Sequence, residues 1–330
     1  MYMYSYADIR DVHFEITSKC QAKCPMCPRR MQGGPLNPFI KLEEVTLEMF
    51  KEWFPVDFIQ QLDSMFMCGN LGDPIISKDT LEIYQYLRRI NPDIRLAMHT
   101  NGSAREPNWW AKLAEQDVTV TFGIDGLGDT NHLYRISTDF DKIIENAKAF
   151  INAGGVAKWY MLVFKHNEHQ IAEARQLSKD LGFKEFTTKH TSRFKGDSLQ
   201  VIDNDGNPLH KLFPTEKSAS MVPLVAQAQK EQTPIIQCKA VKYKQLYVSA
   251  CGNVSPCCWL DMEWLPPTQD SRIEYMKRIS EFPNLNKTSL RDIFENGYFN
   301  KIENTWSNVP LQECSKQCGS FDKLGQQFTK

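Results

Sequence analysis

The sequence predicts an α/β chain: a partial (β/α)6 barrel followed by a small α+β unit built around a β-hairpin. Three observations carry this. Apolar β-rich runs alternate with helix-period segments as far as about residue 195. Glycines fall where helix C-terminal caps are wanted. Beyond residue 195 the alternation stops, and a hairpin pattern rich in cysteine takes over.

The strands read in order are Val12–Thr17, Met65–Cys68, Arg95–Thr100, Val118–Asp125, Lys158–Phe164 and Glu185–Lys189. Helical periodicity fills the gaps over Leu47–Phe54, Thr80–Ile90, Asn108–Glu115, Phe140–Ala153 and Glu168–Leu181. Gly154-Gly155 and Gly182 mark helix ends. Strands that alternate with helices make parallel βαβ units, and right-handed crossovers curl these into a barrel-like sheet. Six units are too few for an eight-fold barrel, so the sheet is expected to stay open on one side. Residues 196–236 contain Asp-Gly, Asn-Pro, Phe-Pro and Thr-Pro breakers and read as a connecting segment, with some helix around Pro223–Glu231. Residues 237–330 then form the second unit. It comprises a hairpin from Gln245–Ser249 and Val254–Cys257 around Cys251-Gly252-Asn253, a helix over Leu290–Glu303, and a final cysteine pair.

Composition bounds the function. With 42% apolar and 24% charged residues in a chain of 330, a substantial core is expected. A net charge of -1 gives no global reason to expect nucleic acid or an anionic membrane as partner. The N-terminus lacks a secretory pattern, and no run approaches the ~20 apolar residues of a membrane span. A cytoplasmic protein is expected. Its ten cysteines then point to metal or catalytic work rather than to disulfides.

Cys20, Cys24 and Cys27 come after the first strand with the spacing C-x3-C-x2-C. Three thiolates on a short loop suit a [4Fe–4S] cluster and leave one iron without a protein ligand. Zinc is the competing reading, although structural zinc wants four protein ligands and zinc knuckles use cysteine pairs. This triad resembles the signature of the radical S-adenosylmethionine (SAM) superfamily, with Met26 where an aromatic residue is usual. The resemblance continues along the barrel. Gly69-Asn70-Leu71-Gly72-Asp73-Pro74 resembles the segment that receives the SAM amino group, with Asp73 in place of the commoner glutamate. Thr100-Asn101-Gly102 resembles the segment near the SAM ribose or methionine, and Ile124-Asp125-Gly126 closes the fourth strand in the family's manner. The resemblance implies SAM contacts at Gly72, Asp73, Pro74, Thr100, Asn101 and Asp125, with Asn167 and His190 or Arg193 as weaker candidates. Singly these are ordinary turns. Their shared position at the C-terminal ends of strands, where parallel barrels build active sites, gives them weight.

The later cysteines resemble the auxiliary-cluster domains called SPASM and twitch. The resemblance implies one auxiliary [4Fe–4S] cluster held by Cys238, Cys257, Cys314 and Cys318, since the additional C-x2-C-x5-C run of a full SPASM pattern is missing. Cys251 and Cys258 remain open as ligand or bystander, and a four-thiolate zinc site remains open for the whole set. Cys68 reads as a small buried apolar residue.

The resemblance also implies a function. SAM is expected to be cleaved reductively to a 5′-deoxyadenosyl radical, which abstracts hydrogen from a substrate, while a flavodoxin- or ferredoxin-like reductant supplies electrons. A peptide or protein side chain ranks first as substrate, oxidation of a small molecule such as a sugar or nucleotide second, and methyl transfer third; a non-catalytic metal-binding module is the reading outside enzymes. About eleven residues precede the first strand, so a peptide is expected to dock directly or through a separate recognition protein. Glu15, His99, Tyr134, Arg135 and His166 lie near strand ends and are candidates to face the substrate, and Trp259–Trp264 is a candidate lining segment weighed against plain packing.

Overall fold

Successive residues of a strand face opposite sides of the sheet, and strand β1 (Asp11–Phe14) shows what each side is for. Phe14 points toward the helices, with ring-centroid distances of 5.4 Å to Phe50 and 5.6 Å to Phe54. His13 points the other way, 5.1 Å from Phe66 and 5.0 Å from Tyr247. One face is therefore an aromatic core and the other a semi-polar interior. These contacts come from a computed structural model, which describes residues 4–220, 234–262, 279 and 282–320.

Five further strands come next: β2 (Ser64–Met67), β3 (Arg95–Thr100), β4 (Val118–Gly123), β5 (Ala157–Val163) and β6 (Glu185–His190). Each pairs in parallel with its predecessor, the order that successive βαβ units lay down. The connecting helices include Leu47–Trp53, Thr80–Ile90, Pro107–Ala114, Phe140–Asn152 and Ile171–Asp180. Local chemistry sets their ends. Thr46 and Asp139 accept N-cap hydrogen bonds from Met49 and Lys142. Gly154 (φ +90°) and Gly182 (φ +86°) take the left-handed conformation that stops a helix.

Two departures from the expected layout turn on glycine. The connector carries an antiparallel hairpin, β7 (Leu199–Ile202) and β8 (Pro208–Leu212). Asp205-Gly206 is a breaker by composition, but it is equally a hairpin turn. Here Asp203 Oδ1 accepts from the backbone N–H groups of Asp205 and Asn207, and Gly206 supplies φ +87°. The expected helix over Leu290–Glu303 is two helices, Leu290–Glu295 and Tyr298–Thr305, because Gly297 turns to φ +67° between them.

The second unit joins the barrel. After the short strand β9 (Ile235–Ile236), strand β10 (Gln245–Val248) pairs in parallel with β1, aligning Asp11 with Gln245 and Phe14 with Val248. Strand β11 (Val254–Ser255) closes the hairpin on its outer side, which gives one sheet in the order β11-β10-β1-β2-β3-β4-β5-β6. Strand β12 (Gly319–Ser320) returns to pair with β9. The helix expected over Pro223–Glu231 and the end of the aromatic run at Trp264 lie outside the described residues. No described helix is long and apolar enough to cross a membrane.

Candidate active site

The loop after β1 carries Cys20, Cys24 and Cys27 into a small apolar cluster with Ala22, Tyr134, Phe164 and Phe194. Hairpin β7–β8 packs Val201 and Leu212 into the same cluster, so the connector helps to wall in the triad. Burial pushes all three thiols up, Cys24 to about 11. Cations work against that shift: Arg135 lies beside Cys24, with Nη1 at 3.9 Å from Sγ, and Arg193, Arg29 and Arg135 all act on Cys27. Arg29 is itself buried, donates to the carbonyl of Cys20, and has an Nε with no hydrogen-bond partner. Among the described residues no three His, Cys, Asp or Glu side chains could hold a single metal ion. The thiols are thus gathered in one pocket without converging on one point. Three thiols, an apolar wall and surrounding arginines fit an anionic iron–sulfur cluster, which needs thiolates and gains from nearby positive charge.

The loops at the strand ends are tied to one another by buried polar side chains. Asp73 is 5% exposed and accepts four hydrogen bonds: Oδ1 from Thr100 Oγ1 (2.7 Å) and Ile75 N (3.3 Å), Oδ2 from Asn101 N (2.7 Å) and Asn101 Nδ2 (2.6 Å). Asn101 reaches the triad as well, with Oδ1 accepting from Gln21 and Nδ2 lying 3.7 Å from Cys20 Sγ. Asp125 pairs with Arg135 Nε at 2.6 Å and accepts from Leu162 N at 2.6 Å. Asn167 donates to the carbonyls of Asp125 and Leu162 and accepts from Phe164 N. A Cβ on Gly72 would overlap the Thr17 carbonyl, and one on Gly69 would overlap the Gly72 backbone, so this turn is open only to glycine. Pro74 begins the 3-10 turn Pro74–Ile76 that Asp73 caps. Arg193 reaches the Met26 carbonyl at 3.3 Å, while His190 bonds Thr215 instead. The expected residues therefore lie together at the strand ends, and the side chains of Asp73, Thr100, Asp125 and Asn167 hold the loops in shape.

At the second cysteine set, Cys238 hydrogen-bonds Cys318, and Cys257 is near enough to both to raise Cys238's proton affinity and to feel Cys318's charge. The bond from Cys238 holds the Cys318 thiol down, despite its burial. Cys314 sits one helical turn before Cys318 on Gln312–Cys318 and is buried. Cys258, beside Cys257, lies near enough to Cys68, Glu15 and Asp261 for their charges to add to the burial that pushes its thiol up. Cys251, in the hairpin turn, lines a cavity of about 500 Å3 instead.

That cavity is walled from both halves of the chain: Glu15, Asn70 and Leu71 from one, Cys251, Asp261 and Asn284 from the other. Of the remaining candidates, His99 stacks edge-on against Phe66 at 4.8 Å, and His166 lies over Phe164 at 5.4 Å. Burial lowers His13, His99 and His166 to about 4, so all three are neutral near pH 7. Sequence reasoning missed Arg29 and Tyr247, while Asp261 falls within the candidate lining segment Trp259–Trp264 and does line the cavity. Arg29 is one of two consecutive arginines after the triad, and nothing local marks it as buried.

Comparison with known proteins agrees with this layout. Residues 14–177 match the model of the radical SAM superfamily, and residues 238–319 match SPASM, an iron–sulfur cluster-binding domain. The chain is 23% identical over 261 residues to the antilisterial bacteriocin subtilosin biosynthesis protein AlbA of Bacillus subtilis (strain 168), covering 76% of this chain and 55% of AlbA. Among solved structures it resembles Streptococcus suis SuiB bound to S-adenosylmethionine, with a TM-score of 0.58 at 15% identity over 92% of this chain and 66% of SuiB. SuiB has also been solved with its precursor peptide SuiA. A further likeness is to anSMEcpe with bound AdoMet, with a TM-score of 0.54 at 15% identity over 93% of this chain and 98% of the other. The chain thus spans about half of the curated relative's length. At these identities the solved structures speak for the fold.

Proposed function

The chain belongs to the radical SAM superfamily and carries a SPASM iron–sulfur domain, and from that premise we propose that it uses SAM to modify a peptide side chain. One observation carries the reading: the cysteine triad follows β1, and a cavity of about 500 Å3 walled by both halves of the chain opens beside the same strand end, with Glu15 and Ser18 in its wall. Cys20, Cys24 and Cys27 would hold the SAM-binding [4Fe–4S] cluster, and Cys238, Cys257, Cys314 and Cys318 the auxiliary one. When bound, the first cluster supplies the electron that cleaves SAM to methionine and the radical that takes a substrate hydrogen atom, and the second offers an electron path.

The chain's own residues do the rest. The turn Gly69–Gly72 presents backbone to the SAM amino group, and Glu15 fixes it by accepting from Leu71 N (2.7 Å) and Gly72 N (3.1 Å). Asp73 braces this turn against Thr100 and Asn101, so two strand-end loops move as one. Arg29, Arg135 and Arg193 balance thiolate charge in a pocket where apolar walls exclude water. The cavity has the volume of a small-ligand site, about 300–1000 Å3, enough for a side chain and its flanking amides but not for a whole peptide. Its carboxamides on Asn70, Asn253, Asn284 and Asn286 suit backbone N–H and C=O groups.

A peptide substrate is supported by what the relatives are: AlbA is a bacteriocin biosynthesis protein, and SuiB has been solved with a precursor peptide. Cytosolic residence and a flavodoxin- or ferredoxin-like electron donor complete the proposal, and ten cysteines, most of them at metal-ligand spacings, suit a reducing compartment. Within it, residues 1–195 act as the SAM domain and 237–330 as the auxiliary domain, joined by 196–236. The test is deuterium transfer. Reconstituted protein, dithionite and SAM are incubated with uniformly deuterated peptide pools or deuterated sugars and nucleotides. Label in 5′-deoxyadenosine from peptides alone supports the reading, and label from sugars or nucleotides alone replaces it with small-molecule oxidation.

A further inference from the structure

Glu15 and Asp261 come from opposite ends of the chain and share one hydroxyl. Tyr247, on β10, places its phenol oxygen 2.8 Å from Glu15 Oε2 and 3.3 Å from Asp261 Oδ2. The other Glu15 oxygen holds the Leu71 and Gly72 N–H groups, and Asn70 Nδ2 donates both to the Tyr247 oxygen (3.3 Å) and to the Cys258 carbonyl (3.1 Å). Glu15 is 1% exposed and Tyr247 fully buried, while Asp261 opens on the cavity. We propose that Asp261 is a positioning residue for SAM: acting through Tyr247 and Glu15, it sets how firmly the Leu71–Gly72 backbone is held, and its ionisation loosens that hold. The inference rests on the reading of this turn as the SAM loop.

A phenol has one hydrogen to give. While Asp261 keeps its proton, Tyr247 can donate to Glu15 and accept from Asp261. Once Asp261 ionises, two carboxylates compete for that hydrogen and repel each other in a site where Glu15 has no water to turn to. Burial, and then the charge of Glu15, raise Asp261 to about 7, while hydrogen bonds from Asn253 and Tyr247 oppose the rise. The other groups facing it are Cys251 and Cys258, with Lys41, Glu43 and Lys287 on the same cavity wall. Because the folded value is raised, the tight arrangement is complete at low pH and is lost as pH climbs through about 7.

The experiment measures the SAM dissociation constant of the anaerobically reconstituted full chain between about pH 6 and about pH 8, for wild type, Asp261→Asn, Asp261→Glu and Tyr247→Phe. The amine of SAM titrates equally in all four, so the difference between profiles is the readout. Wild type should lose on the order of tenfold more affinity across this range than Asp261→Asn, the size of an ordinary coupling between sites. Asp261→Glu should restore the slope, and Tyr247→Phe should flatten it, which also serves if Asp261→Asn fails to load iron. Parallel profiles for wild type and the two flattening variants would overturn the inference alone. A wild type that loads iron yet binds no SAM would overturn the SAM-loop reading and the inference with it.

Discussion

Replacing Asp73 should unfasten two loops at once. Its oxygens serve four donors: the Thr100 hydroxyl, the Ile75 N–H, and the backbone and side-chain N–H groups of Asn101. In Asp73→Ala these donors lose their acceptor in a site that is 5% exposed. Each buried donor left unsatisfied costs about 1–3 kcal/mol, and the sum is not additive because neighbours relax together. A net loss of about 3–5 kcal/mol is therefore expected, the range for breaking a buried charged network. Asp73→Asn keeps one carbonyl oxygen but sets an NH2 against a pair of donors. It should lose two of the four bonds, about 2 kcal/mol. A chain of this size need not unfold in two states, so the assay is local: amide exchange at residues 100–103, together with SAM affinity. Faster exchange there, and SAM binding weakened by at least about tenfold in the alanine variant, is the expected result. Unchanged protection at 100–103 in Asp73→Ala would refute the idea that this carboxylate braces the loops.

Asp125→Ala strands the guanidinium of Arg135, which is 2.6 Å from the carboxylate and only 18% exposed. It should destabilise the protein by about 3–5 kcal/mol, and a thermal inactivation half-life equal to wild type would contradict this. Cys314→Ser should leave SAM cleavage detectable while impairing product formation, because the triad in the other half of the chain is untouched; full turnover in this variant would end the claim that the second cysteine set serves the reaction.

The barrel is readable in the sequence because its signals are local. Strand Arg95–Thr100 and helix Thr80–Ile90 lie between the residues expected, since each has a clean period and an unambiguous end. The cysteine triad and the strand-end turns are legible for the same reason. Hairpin β7–β8 is hidden because Asp205-Gly206 stops a helix and starts a hairpin equally well, and only packing against the triad's pocket decides between them. Gly297 shows the same ambiguity within an otherwise helical run. Most hidden is the bridge from Glu15 to Tyr247, residues 232 positions apart, which exists only because β10 docks beside β1. No local pattern announces that pairing, so the role of Tyr247 leaves no trace in the sequence, and Asp261 shows only as part of a candidate lining segment. The side chains of Asp73 and Asn167 add a related lesson. Their positions at strand ends are legible, but their use as braces depends on partners from neighbouring loops.

The central claim is that the chain holds two iron–sulfur clusters, the first of which cleaves SAM while the second assists the reaction. Its most direct test is to purify and reconstitute the protein anaerobically, count iron and sulfide, and assay 5′-deoxyadenosine with SAM and dithionite, for wild type and for Cys20/Cys24/Cys27→Ala. The account predicts about eight irons in wild type and about four in the variant, with 5′-deoxyadenosine formed by wild type only. Zinc in both sites and no 5′-deoxyadenosine would contradict it and leave a metal-stabilised binding protein.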